Sequence, residues 1–338
     1  DGVPYQRLLA EALAEHGVRV SFLRDYKRGL PLARLVRDRA REEPVDILHL
    51  HWPEAYYPSK GDRFDWFRFA RYPFDLMLAR CCRALVVTAH NIHAHNRPHE
   101  PFARRNTKAS LTQAQRVIAH TEPAKAEIVA SFGVAPARVR VIPHGDLSIP
   151  LGPPLERTAA RAKLGLGTGR VAIMFGAVEP YKGIEDVLDF WRAQRPAAQL
   201  VIIGRPNTPE YGAAIAARAE GVAQFRPGWL TDADLREWLS AVDAVLFNYR
   251  AIFTSGAACL ARSYGVPLLM PRRLATAELA EPNALVFRFE LASDLHEKLE
   301  QALQTKPDYD AAAPWREATA WPRIAAATAE AYREALAK

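Results

Sequence analysis

Short runs of valine, isoleucine and leucine alternate along this chain with longer stretches in which apolar residues recur every three to four positions. In the first half the apolar runs are VRVSFL, VDILHLH, ALVVTAH, RVIAH and VRVIPHG, and helical patterns fall near residues 30–42, 64–83, 103–113 and 122–132. Runs apolar on both faces, separated by amphipathic helices, predict parallel strands joined by crossover helices. PLGPPLERT then interrupts the pattern with proline and glycine and reads as a linker. Beyond it the alternation restarts, with strands at VAIMFGAV, QLVIIG, AQFRPG, DAVLFN, PLLMP and ALVFRF. The expectation is two doubly wound α/β domains with Rossmann-like parallel sheets, at 1–150 and 159–312. A closing helix over 313–338 would be anchored by Trp315, Trp321 and Tyr332, with Pro322 breaking it or starting a turn. The chain opens on the helix PYQRLLAEALAEHG, which leads us to expect that a first strand and its loop are missing ahead of it. Ligands of open α/β sheets bind beyond the carboxyl ends of the strands, so the polar sequences after each strand are where chemistry is sought.

Composition narrows the class. With 338 residues, 49% apolar and 25% charged, the chain has the profile of a soluble globular protein of two domains. No apolar run approaches the roughly 18 residues needed to span a bilayer, and the start carries no signal-peptide pattern. Cys81, Cys82 and Cys259 offer no disulfide framework, which points to a reducing, cytoplasmic compartment. Charge is uneven. Up to Gly145 the chain holds 23 Lys+Arg against 15 Asp+Glu, so this half alone carries more than the formal net charge of +7 of the whole. Nine of the ten histidines lie there too. Such a half suits an anionic partner, whether phosphate, a membrane surface or nucleic acid, and equally suits an ordinary solvated arginine face.

Four segments carry a resemblance to a known group. They are RVIAHTEPAKAEIVASFGVAPARVRVIPHG, FGAVEPYKGIEDVL, FNYRAIFTSGAACLARSYGVPLL and AWPRIAAATAEAYREAL, in that order. Together with TAHN and the later PHE, they resemble the GT-B glycosyltransferases of the glycogen-synthase-like and mannosyltransferase-like group, closest to bacterial enzymes of exopolysaccharide or glycoconjugate synthesis. The resemblance implies two Rossmann-like domains facing a cleft, an N-terminal acceptor domain and a C-terminal donor domain. It also implies hexosyl transfer from a UDP- or GDP-linked sugar to a saccharide or lipid-linked saccharide, with no essential metal or other cofactor. Lys182 would neutralise the donor diphosphate as a point charge. Thr254, Ser255 and Gly256 would offer the free N–H groups of a helix start, where glycine lets the backbone come close. The arginine usually found shortly before the lysine is missing, and Arg205 or Arg250, the latter following Tyr249, could replace it at the donor site. Many relatives carry two glutamates around the third segment. Ile252 and Leu260 stand at those positions, which leaves the hold on the donor ribose and sugar open.

The histidines admit two readings. HLHWPE brings His49, His51 and Glu54 to the end of one strand, and TAHNIHAHNRPHE brings His90, His93, His95, His99 and Glu100 to the end of another. Imidazoles at strand ends are common metal ligands, and a His-x-His there resembles metal-dependent hydrolases. The linker and the restart of the pattern disfavour the single eight-fold barrel that such a hydrolase requires. In the transferase reading His90 matches a family histidine that contacts the donor sugar. Glu54 and Glu100 are then candidates for a general base, which only an inverting transfer needs. His120 and His144 read as structural or cleft-edge residues. The missing glutamates leave a catalytically silent binding or partner subunit of the same fold as the alternative.

GDRFDWFRFARYPFDLMLARCCR interleaves five arginines with six aromatic residues. Part must face the core, and the rest suits an anionic membrane interface from which a lipid-linked acceptor is reached. A crossover helix with snorkelling arginines is the plainer reading. No nucleic-acid module accompanies the segment, so the expected location is the cytoplasm, with peripheral attachment to the inner face of the membrane.

Overall fold

The structure is a computed structural model that describes residues 4–23, 31–53, 66–79, 82–91, 100–273, 285–291 and 293–337; the side chains of Trp66, Arg68, Phe69, Glu100, Pro101 and Phe102 are outside that description. The chain divides into two units, Asp1–Gly145 with Trp321–Lys338, and Asp146–Ala320.

The first unit opens with helices α1 (Pro4–Ala14) and α2 (Leu32–Glu42). A parallel sheet follows, built from β1 (Ile47–His51), β2 (Ala84–Thr88), β3 (Arg116–Ala119) and β4 (Val139–Val141) in that spatial order. Helices α3 (Trp66–Leu78), α4 (Glu100–Gln113) and α5 (Glu122–Phe132) provide the crossovers. Strands β2 and β3 are buried along their whole length, as a sheet covered on both faces requires. Thr121 caps α5 by accepting from the Ala124 amide, and Gly133 ends it in the left-handed conformation at φ 70°. One expected strand does not form. Within VRVSFL, Val18–Leu23 runs as irregular chain with Val20 and Phe22 exposed, tied to α2 by a hydrogen bond from Arg39 to Ser21 of 2.8 Å. A strand needs a neighbour for its ladder, and β1 pairs only with β2 among the described strands; β-branched composition alone does not supply the missing partner.

The second unit holds six parallel strands: β5 (Arg170–Phe175), β6 (Ala198–Gly204), β7 (Gln224–Pro227), β8 (Ala244–Leu246), β9 (Leu268–Pro271) and β10 (Val286–Phe289). Around them pack α6 (Arg157–Leu164), α7 (Ile184–Gln194), α8 (Pro209–Ala219), α9 (Asp232–Ala241), α10 (Gly256–Ser263), α11 (Leu295–Gln304) and α12 (Ala313–Ala318). Alternation sorts the strands onto two cores. Val171, Ile173, Phe175, Val201, Ile203 and Val245 meet Trp238 and Tyr264 on one face. Ala172, Met174, Leu200, Ile202 and Leu246 meet Val187, Leu188, Trp191 and Leu299 on the other. The spatial order is β10-β9-β8-β5-β6-β7, so the sheet reverses its winding between β5 and β8, which pair through Ala172↔Ala244 and Ile173↔Val245. A crevice opens beyond the carboxyl ends of the strands at such a reversal.

The proline-rich stretch expected as a linker is fastened to the second unit. Leu155 donates to Ser240 Oγ at 2.9 Å, Arg236 donates to the Pro153 carbonyl at 2.7 Å, and Arg157 donates to Val242 and Asp243 at 2.7 Å each. The division therefore falls earlier, between Gly145 and Asp146.

The chain returns to the first unit through α13 (Trp321–Leu336), the closing helix, which carries Pro322 at its second residue. Proline is tolerated there because the first-turn N–H groups have no intrahelical acceptor. Buried Arg116 donates to Glu334 at 2.8 Å, and Arg140 pairs with Glu330 at 3.1 Å and Glu334 at 3.3 Å. Trp321 lies so close to Gly145 that a Cβ there would stand 2.5 Å from the indole, so glycine is what lets the ring in. Trp315, expected to anchor the same helix, belongs to α12 and packs on the core of the second unit.

Candidate functional site

At the reversal in the second unit, the turns after β5 and β8 are stitched together. After Phe175 the chain passes Gly176, makes a short 3-10 turn over Pro180–Lys182 and enters α7 through Gly183 at φ 61°. The Gly183 carbonyl accepts from Asn248 Nδ2 at 3.0 Å, and the Arg250 amide donates to the Tyr181 carbonyl at 2.7 Å. A Cβ on Gly183 would lie 2.5 Å from the Asn248 carbonyl oxygen, so this packing excludes any other residue. Next to it, Gly204 ends β6 so close to Gly176 that a Cβ would stand 1.8 Å from the Gly176 carbonyl oxygen.

Lys182 is folded into this corner. Its Nζ donates to the Phe175 carbonyl at 3.0 Å and lies 5.9 Å and 6.0 Å from the ring centres of Phe247 and Tyr249. Burial lowers its pKa to about 8, against the pull of Glu179 that favours the cation. The ammonium is thus mostly charged at neutral pH, and among the described residues it is met by a neutral carbonyl and ring faces. Such a cation gains by meeting an anion.

Tyr249 joins the lysine to the start of α10. Its ring stacks between Tyr181, 5.9 Å away, and Phe247, 5.1 Å away. Its hydroxyl hydrogen-bonds Ser255 Oγ at 2.8 Å, and the same oxygen accepts from the Ala258 amide at 3.1 Å. Ser255 is therefore an N-cap, with Gly256 as the first residue of the helix and Thr254 immediately before it. Arg250 is engaged elsewhere: it forms a two-pronged pair with Asp186 at 2.9 and 3.0 Å and donates to the Pro180 carbonyl at 3.1 Å, which locks the lysine turn onto α7. Arg205 follows β6 at the same end of the sheet with an exposed side chain. Ile252 packs against the core and Leu260 is buried in it, so apolar contacts occupy the positions where many relatives carry glutamates. Asn248, which the sequence reading missed, fixes the lysine turn; its signal was a lone polar residue straight after a buried strand.

In the first unit the strand ends carry imidazoles. His49 lies mid-strand in β1 and His51 ends it, while His90, His120 and His144 follow β2, β3 and β4. Tyr5 of α1 stands at the centre, its ring 4.9 to 5.6 Å from His51, His90, His120, His144 and Trp321. Trp52 adopts a left-handed φ of 49° and stacks on His90 at 4.0 Å and 11°. A non-glycine residue held there costs about 1–2 kcal/mol, and such strain gathers at functional sites. His51 Nδ1 and His90 Nε2 are 3.0 Å apart, and His90 Nδ1 and His120 Nε2 are 3.3 Å apart. His120 Nδ1 donates to the Ile142 carbonyl at 3.0 Å. His49 bridges Tyr332 Oη at 2.7 Å and Thr88 Oγ1 at 2.8 Å, and His144 Nδ1 donates to the Gly145 carbonyl at 3.0 Å. Burial holds all five neutral: it lowers His49 and His120 from the usual 6.5 to about 3, and moves His51, His90 and His144 in the same direction.

His90 thus has both ring nitrogens within hydrogen-bonding distance of other imidazoles, a different setting from a histidine open to a sugar. The nitrogens of the cluster pair with one another instead of converging on a point, and among the described residues no group of three or more His, Cys, Asp or Glu side chains is arranged to hold a metal ion. His120 and His144, read from the sequence as structural or cleft-edge residues, are integral to the cluster. Glu54, His93, His95 and His99 lie outside the described residues, as does the Glu100 side chain, although the Glu100 backbone begins α4.

Comparison with known proteins adds a second line. Residues 3–146 match the family model described as Glycosyltransferase Family 4. Over 301 residues, 87% of this chain and 81% of the relative, the sequence is 29% identical to a GDP-mannose:glycolipid 4-beta-D-mannosyltransferase of Xanthomonas campestris pv. campestris. Among solved structures, sucrose-phosphate synthase from Thermosynechococcus elongatus superposes with a TM-score of 0.73 at 17% identity, over 98% of this chain and 93% of that one. Anabaena HepE in complex with UDP-glucose gives 0.70 at 17% identity, over 98% and 95%.

Proposed function

The chain is a glycosyltransferase of the GT-B fold, and from that premise we propose that it passes a hexose from a GDP- or UDP-linked donor to a lipid-linked saccharide at an anionic membrane surface. Nucleotide-sugar transfer is the activity; the acceptor, the surface and the residue roles are the proposal. The second unit takes the donor. Lys182 meets the diphosphate, and the α10 start at Thr254, Ser255 and Gly256 offers it backbone N–H groups, so that charge developing on the leaving group is stabilised without a metal. Displacing the Phe175 carbonyl from Lys182 frees the ammonium for that contact.

One observation carries the acceptor side. On α3, Phe67, Phe74, Met77 and Leu78 are all exposed, Phe67 by 70% and Leu78 by 63%. Spaced by seven, three and one residues, they share one face of the helix, while Tyr72 and Leu76 point into the core from the other. Arg71 lies beside the apolar face, its guanidinium 5.3 Å from the Phe67 ring centre. A row of large apolar side chains on the basic half of a protein suits the boundary between head groups and acyl chains. Among the described residues no helix is long and apolar enough to cross a membrane. The Xanthomonas relative, a glycolipid mannosyltransferase by name, favours the same kind of acceptor.

The test is sedimentation with vesicles. The protein binds phosphatidylglycerol-containing vesicles more than phosphatidylcholine ones, and binding falls with salt as charges are screened over about 10 Å at 0.1 M. Phe74→Asp combined with Leu78→Asp abolishes the binding and leaves nucleotide affinity unchanged. Equal sedimentation of both proteins would replace the membrane acceptor with a soluble saccharide.

A further inference from the structure

In the second unit a row of positions without side chains leads from Lys182 to a tryptophan. Gly176 follows β5, Gly204 closes β6 and Gly228 follows β7. These strands are neighbours in the order β5-β6-β7, so the three glycines lie side by side at their carboxyl ends. The row is tight. The Gly176 amide donates to the Ile203 carbonyl at 3.1 Å, and the Gly228 amide donates to the Gly204 carbonyl at 3.2 Å. A Cβ on Gly204 would stand 1.8 Å from the Gly176 carbonyl oxygen. At one end a Cβ on Gly176 would stand 2.9 Å from Lys182 Nζ, so the lysine borders the row. At the other end a Cβ on Gly228 would meet nothing within 4 Å, so the space there is open. Strands lie about 4.8 Å apart, which makes the row about 10 Å long.

Trp229 stands at the open end. It is 79% exposed, more than any other large apolar side chain among the described residues, although tryptophan is a largely buried residue type. The chain beside it is held: Leu230 packs on the core of the unit, and Thr231 starts α9 through a capping box. A pinned backbone thus presents an indole to solvent, at the sheet end where open α/β folds take their ligands.

We propose that Trp229 is a stacking platform for the base of the donor nucleotide, and that it makes this chain take guanine in preference to uracil. This rests on the reading of the corner around Lys182 as the donor diphosphate site. With the diphosphate on Lys182, the nucleoside runs along the glycines, whose bare backbone lets the ribose come close, and the base comes to rest beyond Gly228. An indole offers its face to any base, and such stacking is strong enough to govern affinity. The fused rings of guanine cover more of the indole than the single ring of uracil does, and the gain grows with the apolar area removed from water. Platform and lysine both belong to the second unit, so the donor is read for base and for charge within one domain.

Calorimetric titration with GDP, UDP and inorganic pyrophosphate separates the platform from the charge. The parent protein binds GDP more tightly than UDP. Trp229→Ala weakens GDP binding about 10- to 100-fold, the loss of one stacked base, brings GDP level with UDP and leaves pyrophosphate unchanged. Trp229→Phe keeps the preference for GDP, because a phenyl ring still offers a face. Lys182→Ala, by contrast, weakens all three ligands. Undiminished GDP affinity in Trp229→Ala, or a parent protein that binds UDP as tightly as GDP, would overturn the inference and leave the donor reading standing. Failure of the parent protein to bind either nucleotide would defeat the donor reading, and the inference with it.

Discussion

The two units share one architecture and diverge at the carboxyl ends of their strands. In the first unit the strands run in simple order, and their ends hold a neutral cage of imidazole, phenol and indole rings around Tyr5. In the second, the strand order reverses between β5 and β8, and the ends hold tightly approaching glycines, a half-satisfied lysine and a capped helix start. One unit stores lone pairs and the other stores a positive charge. The same scaffold thus carries two different settings: uncharged rings in one unit and a buried cation in the other. The difference comes from burial acting in one direction on two bases of different strength. It keeps the histidines uncharged, whereas it moves Lys182 only to about 8 and leaves it mostly a cation at neutral pH.

Acid separates the units most strongly. A histidine whose folded pKa is depressed binds its proton only when the chain unfolds, so stability present above pH 6.5 is lost as pH falls toward the folded pKa. For His49 and His120, both lowered to about 3, each contributes a loss of about 1.4 kcal/mol per pH unit below 6.5. At pH 5 those two together remove about 4 kcal/mol, a large part of a marginal stability. Hydrogen exchange across a pH series is expected to show the first unit opening between pH 6 and 4 while the second unit stays protected. Simultaneous loss of both would mean that the cage is not what distinguishes them. Gly204→Ala attacks the other side. Its Cβ would meet the Gly176 carbonyl oxygen at 1.8 Å, and rigid backbone cannot yield, so a loss of about 3 kcal/mol or more is expected. It should appear as a lower melting temperature of the second unit and leave the vesicle binding of the first intact. Tyr249→Phe removes only the hydroxyl that meets Ser255. It is expected to cost about 1 kcal/mol of stability, seen as a small shift in denaturant midpoint with the α10 cap retained. The smallest effect expected is none: EDTA should leave transfer unchanged, and activity lost to EDTA and restored by one divalent ion would bring back a metal reading of the histidines.

Periodicity located the sheets well, because parallel strands buried on both faces write unbroken apolar runs. AVL and LLMP sit inside the expected segments, and RVAIMF begins one residue ahead of the expected VAIMFGAV. It failed at VRVSFL, where pairing depends on a neighbour that local composition does not encode, and at PLGPPLERT, whose prolines mark a stretch pinned on α9. Lys182, Tyr249 and Ser255 were legible as candidates because each follows a strand end, and the structure brings them to one corner. The roles of Asn248 and Arg250 were not, since they depend on which turns become neighbours when β5 and β8 pair. The histidines were visible as types, but their gathering around Tyr5 was not, since it depends on how α1 meets the strand ends.

The central claim is that the corner formed by β5 and β8 holds the donor diphosphate through Lys182, and calorimetric titration with GDP and UDP across pH tests it most directly. An anion raises the pKa of the lysine it meets, so binding favours the protonated form. The affinity should hold near pH 7 and fall as pH rises through about 8, where the free lysine loses its proton. Lys182→Ala should bind roughly 10- to 100-fold more weakly, the loss of a charged contact of about 1.5–3 kcal/mol, and should lose that pH dependence while keeping the fold. Undiminished affinity in Lys182→Ala, with the same decline above pH 8, would place the diphosphate elsewhere and contradict the account.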